Sequence, residues 1–359
     1  PEFVPDKVVK TKFNILHKDL FPQKNNPKTY TMSSGLEGII VGNASLPQGP
    51  QSHTAVAMNP SGSPHIIYTN PQGVSGVAYQ EDKTWISRPF GNFEANYPSF
   101  HFNSQGVGHL IFDSGSPVQN LAHASFANNA WGPRTTINGD LGVGLENDVH
   151  IDSKGKTHIS YFGRSNIKLG YATYKSGWEV DRNFAPARWD QTGVTTDTDG
   201  LANIVCVDEL TGKVKHLVHL SNGAWQAKLL QSGTNPVIDA EKDGKLRITY
   251  VTPSGIQTGI SGNWNWTFSP IPGATHDPAQ RLNVMYNSAD NSVHILHVNH
   301  DLIYTTNRAG GNWKTTVLDN SAGYSGVGST LSNGEIGASF IRNGNQLGYV
   351  KFSPTSLPN

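Results

Sequence analysis

The sequence predicts an all-β protein, a seven-bladed β-propeller of four-stranded antiparallel blades closed by an N-terminal strand. Three observations predict it. A tryptophan recurs at Trp85, Trp131, Trp178, Trp225, Trp266 and Trp313, at intervals of 46, 47, 47, 41 and 47 residues. A fixed period in the forties with four strands per period marks propeller blades. Within the period from Asn147 to Asp181, four runs of β-type residues appear, at 148–151, 157–162, 168–173 and 177–180. Their alternating apolar and polar positions, with turn residues between them, read as antiparallel strands. The second run then recurs as His65-Ile-Ile-Tyr68, His109-Leu-Ile-Phe112, His158-Ile-Ser-Tyr161, Leu246-Arg-Ile-Thr-Tyr250 and His294-Ile-Leu-His297. The third recurs as Gly76-Val-Ala-Tyr79, Leu121-Ala-His-Ala124, Leu169-Gly-Tyr-Ala172 and Leu347-Gly-Tyr-Val350.

One such unit has two exposed edges and little core, so it must stack on copies of itself. The repeat runs nearly end to end, so residues 1–359 are read as a single domain. Residues 1–52 form an arm and closing strand, and the blades span roughly 53–90, 97–137, 146–184, 191–230, 235–271, 281–318 and 324–352. The seventh unit, Tyr324–Phe352, stops after its third run and has no tryptophan. Its missing outer strand is expected from the N-terminal side, at 11–18 or 29–42. Closure of this kind removes free edges and ties the chain ends together. Blade four is the most divergent, with Asn203 where other blades have His and an acidic Asp208-Glu209 turn.

Composition narrows the function. The formal net charge is zero and only 15% of residues are charged, so no phosphate-backbone partner is suggested. No apolar run approaches the length of a membrane span. The single Cys206 lies in the apolar run Asn203-Ile-Val-Cys-Val207, which suits a small buried hydrophobe and leaves no intrachain disulfide. Two sequons, Asn43-Ala-Ser45 and Asn265-Trp-Thr267, favour an extracellular glycoprotein, and a monomer is expected.

In a propeller, the first strand of each blade lines a central channel, and ligand sites favour such mouths. The blades align on the residue ending that strand: Gly62, Gly106, Gly155, Gly200, Gly244, Asn291 and Gly334. Nine residues earlier the column reads His53, Tyr97, Glu146, Gln191, Asn235, Leu282 and Ser325, with Arg281 and Tyr324 one residue before the last two. A scaffold ring tends to repeat one residue type, whereas this ring differs in every blade and suits one asymmetric ligand at the axis. Turns between the second and third strands also differ, carrying Asp113, Arg164, Asp208 with Glu209, His300 with Asp301, and Arg342. A multivalent lectin would repeat its sugar-binding residues blade after blade, so one central site is expected.

The recurrent second-strand histidines sit at a framework position and are expected to pack or hydrogen-bond between blades. The periodic tryptophans are expected in the core between blades, while Trp189 and Trp264 fall outside the period and are the better candidates for a stacking surface. Asp148, Asp197 and Asp239 approach the channel, where a cation would be structural. No zinc spacing, phosphate loop or nucleophile elbow appears, and no cofactor is required.

The pattern His-Ile-x-Tyr, then Leu-x-Tyr-Ala, then Gly-x-Trp resembles the repeats of secreted propellers of sialidase-like shape. Among these are seven-bladed carbohydrate enzymes, including ulvan lyases and fungal rhamnosyl-glucuronate lyases. The resemblance covers the architecture from about residue 30 to the end. It implies a polysaccharide lyase in which a His or Tyr moves the proton and basic residues hold a uronate carboxylate; Asp-box sequences of the sialidase type are absent. On this sequence, His53 is the base, its ordinary pKa lying nearest neutrality. Tyr97 protonates the leaving oxygen, and Arg164, Arg281 or Arg342 grips the carboxylate. Glu146, Asp113, Tyr324 and His300 complete the expected substrate contacts. Alternatives are a glycoside hydrolase using Glu146 and Asp113 as facing carboxylates, a lectin without chemistry, and a protein-binding scaffold.

Overall fold

The computed structural model describes residues 23–357 except 26, 44–53, 70–73, 91–93, 116–118, 165–166, 189, 242, 263, 288–289, 308–311 and 321–323. The first of the predicted blade residues, His53, and the off-period Trp189 therefore lie outside the described residues, as does the closing strand expected at 11–18.

Seven antiparallel sheets form, one per sequence period. Blade three is the simplest, with strands Val143–Ile151, Thr157–Gly163, Lys168–Tyr174 and Trp178–Pro186 in spatial order. Alternation of buried and open positions is lost in the middle strands, because both faces of each blade are covered by a neighbour; Thr157–Gly163 is buried at every position. The innermost strand of each blade contacts those before and after it, and that of blade seven, Tyr324–Ser332, contacts Ala55–Met58 of blade one. The ring is thereby closed.

Between the seven blades lie seven apolar clusters. Trp85 packs between blades seven and one, Trp131 between one and two, Trp178 between two and three, and Trp225 between three and four. Trp266 and Trp313 serve the next two interfaces. The interface between blades six and seven uses Met32, with Tyr30 and Leu36 packed against it, where the others have tryptophan. Those three residues belong to the N-terminal segment. Its strand Glu37–Asn43 pairs with Gln346–Phe352 and supplies the outer strand that blade seven lacks, and Lys28–Thr31 adds a fifth. Of the two expected closing segments, the one at 29–42 thus does the work.

Blades one to four turn from the first to the second strand in the same way, and blade seven uses a two-residue Asn333-Gly334 turn instead. Asp152 Oδ1 accepts the backbone N–H groups of Lys154 and Lys156, and Gly155 follows at φ +77°. Asn103 and Asp197 do the same before Gly106 and Gly200, and Asn291 replaces glycine at φ 57°. Asn is one of the few residues that enter this left-handed region at little cost, which explains the substitution. Asp197 is thereby a turn residue and does not reach the channel.

The second-strand histidines hydrogen-bond within their own blades and not between blades as expected, although the His65 ring also packs on Phe102 and Phe126 of blade two. His158 Nδ1 lies 2.7 Å from Tyr171 Oη, and His294 Nδ1 lies 2.6 Å from Tyr304 Oη. Blade four reverses the roles: His216 on its third strand bonds Asn203 on its second at 3.0 Å. Cys206 is buried and its thiol is pushed up to about 12 by burial, with Asp208 adding to it against the pull of Lys215. Among the described residues, no helix is long and apolar enough to cross a membrane.

Candidate functional site: the axial cavity

The seven innermost strands enclose a cavity of about 330 Å3, a volume within the range of small-molecule sites. Every blade contributes to its wall. Its wall combines polar groups with apolar side chains such as Val194, Val237, Ile238 and Leu331. Among its polar side chains, one column of the repeat stands out, beside others such as Thr54, Ser99, Gln191, Thr192 and Asn283. Five residues before the turn glycine, or before Asn291, stand His101, His150, Asp239, Tyr286 and Ser329, and all five line the cavity. Asp148, two residues before His150, joins them. The strand pleat places residues two apart on one face, so Asp148 and His150 look into the same space.

Few charged side chains line this space. Seven strands wall in His101, and that burial lowers its pKa while Asp148 nearby raises it. Burial likewise takes His150 down to about 4, helped by His101 and His158. The carboxyls move the other way. Burial raises Asp148 against the backbone N–H of Val194, Arg281 and His101. Burial pushes Asp239 up to about 7, with Asp148 and Glu241 adding repulsion against the backbone N–H of Ala240. These are the responses expected of charges moved out of water. Perturbed groups gathered in a cleft mark candidate functional sites.

At one end the cavity is crossed by side chains. Arg281, just before the innermost strand of blade six, places Nε 3.8 Å from Glu146 Oε2 of blade three and donates from Nη2 to Asn147 O at 3.1 Å. Blades three and six are not neighbours in the ring, so this pair spans the axis. Gln191 of blade four grips the backbone of Leu282, donating to its carbonyl at 3.0 Å and accepting from its N–H at 2.9 Å. Asn235 of blade five donates to the carbonyls of Pro278 and Gln280.

These are the residues of the column nine before the turn glycine, and their role differs from the one expected. Tyr97, Glu146 and Asn235 have φ of 50°, 45° and 49°, and the register slips beside them in blades two, three and five. They occupy a β-bulge where each chain enters its sheet, which re-aims the side chain into the inter-blade space. Tyr97 is 3% exposed and packs in the core between blades three and four; it does not line the cavity. Glu146 is fully buried and held by Arg281. The variety of the column therefore reflects different bonds across the ring; of its described members, Gln191 and Leu282 also line the cavity.

The other predicted residues are scattered. Arg281 lines the cavity, but its guanidinium is engaged with Glu146 and Asn147. Asp113 is 1% exposed and accepts from Gly115 N–H, and burial pushes it up to about 6. It and Glu146 do not face each other across the cavity wall, of which neither is part. Arg164 and His300 are exposed turn residues, and Arg342 stacks over the Tyr30 ring at 4.3 Å. None of the three lines the cavity, and the side chain of Tyr324 lies outside the described residues. Trp264 is half-buried against the His216 ring, with centroids 4.9 Å apart, so it is not an open stacking platform.

A closed ring of seven four-stranded sheets around an axial pocket makes this chain a β-propeller with a small polar central site. No family model matches the chain, and no curated protein sequence matches it. Solved structures do match in fold. The BP39L lectin from Burkholderia pseudomallei aligns at TM-score 0.67 and 12% identity, over 87% of this chain and 98% of that one. The Aleuria aurantia lectin, solved with Fucα1-6GlcNAc, aligns at TM-score 0.56 and 13% identity, over 78% and 99%. Virginiamycin B lyase from Staphylococcus aureus aligns at TM-score 0.55 and 11% identity, over 86% and 98%. At such identities the likeness is one of fold, and a propeller fold serves binding proteins and enzymes alike.

Proposed function

We propose that this protein is a carbohydrate-binding propeller of lectin type, acting outside the cell, that holds one glycan residue in its axial cavity without chemistry. The observation that carries the reading is the cavity itself: about 330 Å3, walled by all seven blades, with polar groups that differ from blade to blade. Such a lining offers hydroxyl-bonding groups beside apolar strand surface, the mixture a pyranose ring needs. The lectin propellers of similar fold support the glycan class. The rim turns, which do not repeat, support a central site over several peripheral ones. Asn265 of the second sequon is exposed, which suits an extracellular setting.

The elimination reading draws less support. It needs an open base and a guanidinium free to hold a carboxylate, and Arg281 is already engaged. Calorimetric titration with a panel of mono- and disaccharides tests the proposal. One equivalent bound per chain, lost in His101→Trp, is expected, because His101 is open to the cavity and an indole there fills it. Several equivalents per chain, or binding that survives His101→Trp, refutes a single axial site.

A further inference from the structure

We propose that the preferred occupant of the axial cavity is a sugar bearing a protonated amine, seated with its ammonium against the carboxylates of Asp148 and Asp239. The inference rests on the glycan-binding reading above and names the class of sugar.

The charge lining the cavity carries the argument. Asp148 and Asp239 come from different blades and both face the lumen. Arg281 is the sole Lys or Arg among the described lining residues, and Glu146 holds it from behind the wall. His101 and His150 sit where burial favours their neutral forms. The lumen thus carries more negative than positive charge once its carboxyls ionise. Low-dielectric walls focus that field along the axis.

A carboxylated sugar entering here meets two carboxylates and an engaged guanidinium. A neutral sugar adds no positive charge beside the two carboxylates. An ammonium group removes the repulsion between Asp148 and Asp239 and offers three donors to them. Backbone amides hold both acceptors in place: Val194 N–H donates to Asp148 at 3.0 Å and Ala240 N–H to Asp239 at 2.8 Å. A bare metal ion fits less well, since among the described residues no three His, Cys, Asp or Glu side chains converge to hold one. The volume asks for a body larger than an ion, and Tyr286 and Ser329 supply hydroxyls for it.

The test is a calorimetric comparison of D-glucosamine, N-acetyl-D-glucosamine and D-glucuronate at pH 7 and low salt, with the wild-type chain and Asp239→Asn. Glucosamine is expected to bind at least about tenfold more tightly than its N-acetyl form, the size of one charge-assisted contact. Asp239→Asn is expected to cut that preference at least about fivefold. Asp148→Asn serves as the second variant if Asp239→Asn fails to fold. Equal affinity for the amine and its acetamide, or tighter binding of glucuronate, overturns this inference and leaves the glycan-binding reading standing. Absence of binding to these three and to the wider saccharide panel overturns the glycan-binding reading, and this inference with it. A glucosamine preference that persists in both Asn variants also overturns the assignment to these carboxylates.

Discussion

The pair Arg281–Glu146 offers the sharpest test of how the ring is held at its axis. Its atoms lie 3.8 Å apart, with Glu146 fully buried and the Arg281 side chain 7% exposed. At an effective dielectric of about 20, that separation corresponds to about 4 kcal/mol of Coulomb attraction. Desolvation of both ions offsets most of it, so the pair as a whole is worth little net. Its two halves are not interchangeable with nothing, however. Arg281→Met leaves a fully buried carboxylate without its guanidinium, and such a deletion costs about 3–5 kcal/mol. It also removes the bond to Asn147 O that ties blade six to blade three. Adding Glu146→Gln to Arg281→Met removes the stranded charge. The double variant is therefore expected to recover about 2–3 kcal/mol of the loss, a coupling typical of groups in direct contact. Urea unfolding followed by tryptophan fluorescence measures this: the Arg281→Met midpoint falls, the double variant's rises again, and the slope is unchanged. Additive losses in the two variants would refute the cross-axis pairing.

Three further expectations follow from the same structure. Asp239 titrates near 7 when folded and near 3.8 when unfolded, so the folded state binds the extra proton. Its contribution to stability is present below pH 3.8 and is lost as pH rises toward 7; Asp239→Asn should leave stability at pH 4 unchanged and raise it at pH 8 by about 2–4 kcal/mol, read from urea midpoints. Removal of all residues before 44 strips blade seven of Glu37–Asn43 and the last interface of Met32, so thermal unfolding should shift down by several degrees and light scattering should report edge-to-edge association. Cys206, buried with its thiol pushed up to about 12, should resist a thiol-reactive dye in buffer and react at once in denaturant.

Much of the architecture is legible in the residues, because a repeated blade repeats its physical problem. Each interface needs one large aromatic, so Trp85 through Trp313 announce the period. Each first hairpin needs a residue with positive φ, so Gly62, Gly106 and their counterparts give the register. Even the closing strand is legible, since blade seven ends one strand short. The axis is harder. Tyr97, Glu146, Gln191 and Asn235 look like a ligand ring because they vary and are polar. A β-bulge re-aims Tyr97, Glu146 and Asn235, Gln191 stays on the cavity wall, and the bonds at this level reach residues 91 and 134 positions away, as with Gln191 to Leu282 and Arg281 to Asn147. Pattern along the chain carries no information about such distant partners. His101 was hidden for another reason: between Phe100 and Phe102 it reads as one more framework histidine like His109. The signal that finds it is the column five before the turn glycine, which reads His101, His150, Asp239, Tyr286 and Ser329 in five of the seven blades. Asp148 and Asp239 were visible in the sequence as channel carboxylates, but the engagement of Arg281 by Glu146, which decides the sign of the lumen's charge, was not.

The most direct measurement is a crystal structure of the protein soaked with whichever saccharide from the panel binds most tightly. The account predicts density for one sugar inside the ring, in contact with His101, Asp148 and Asp239. Sugar density at the perimeter between blades, with the lumen holding only solvent, would contradict it.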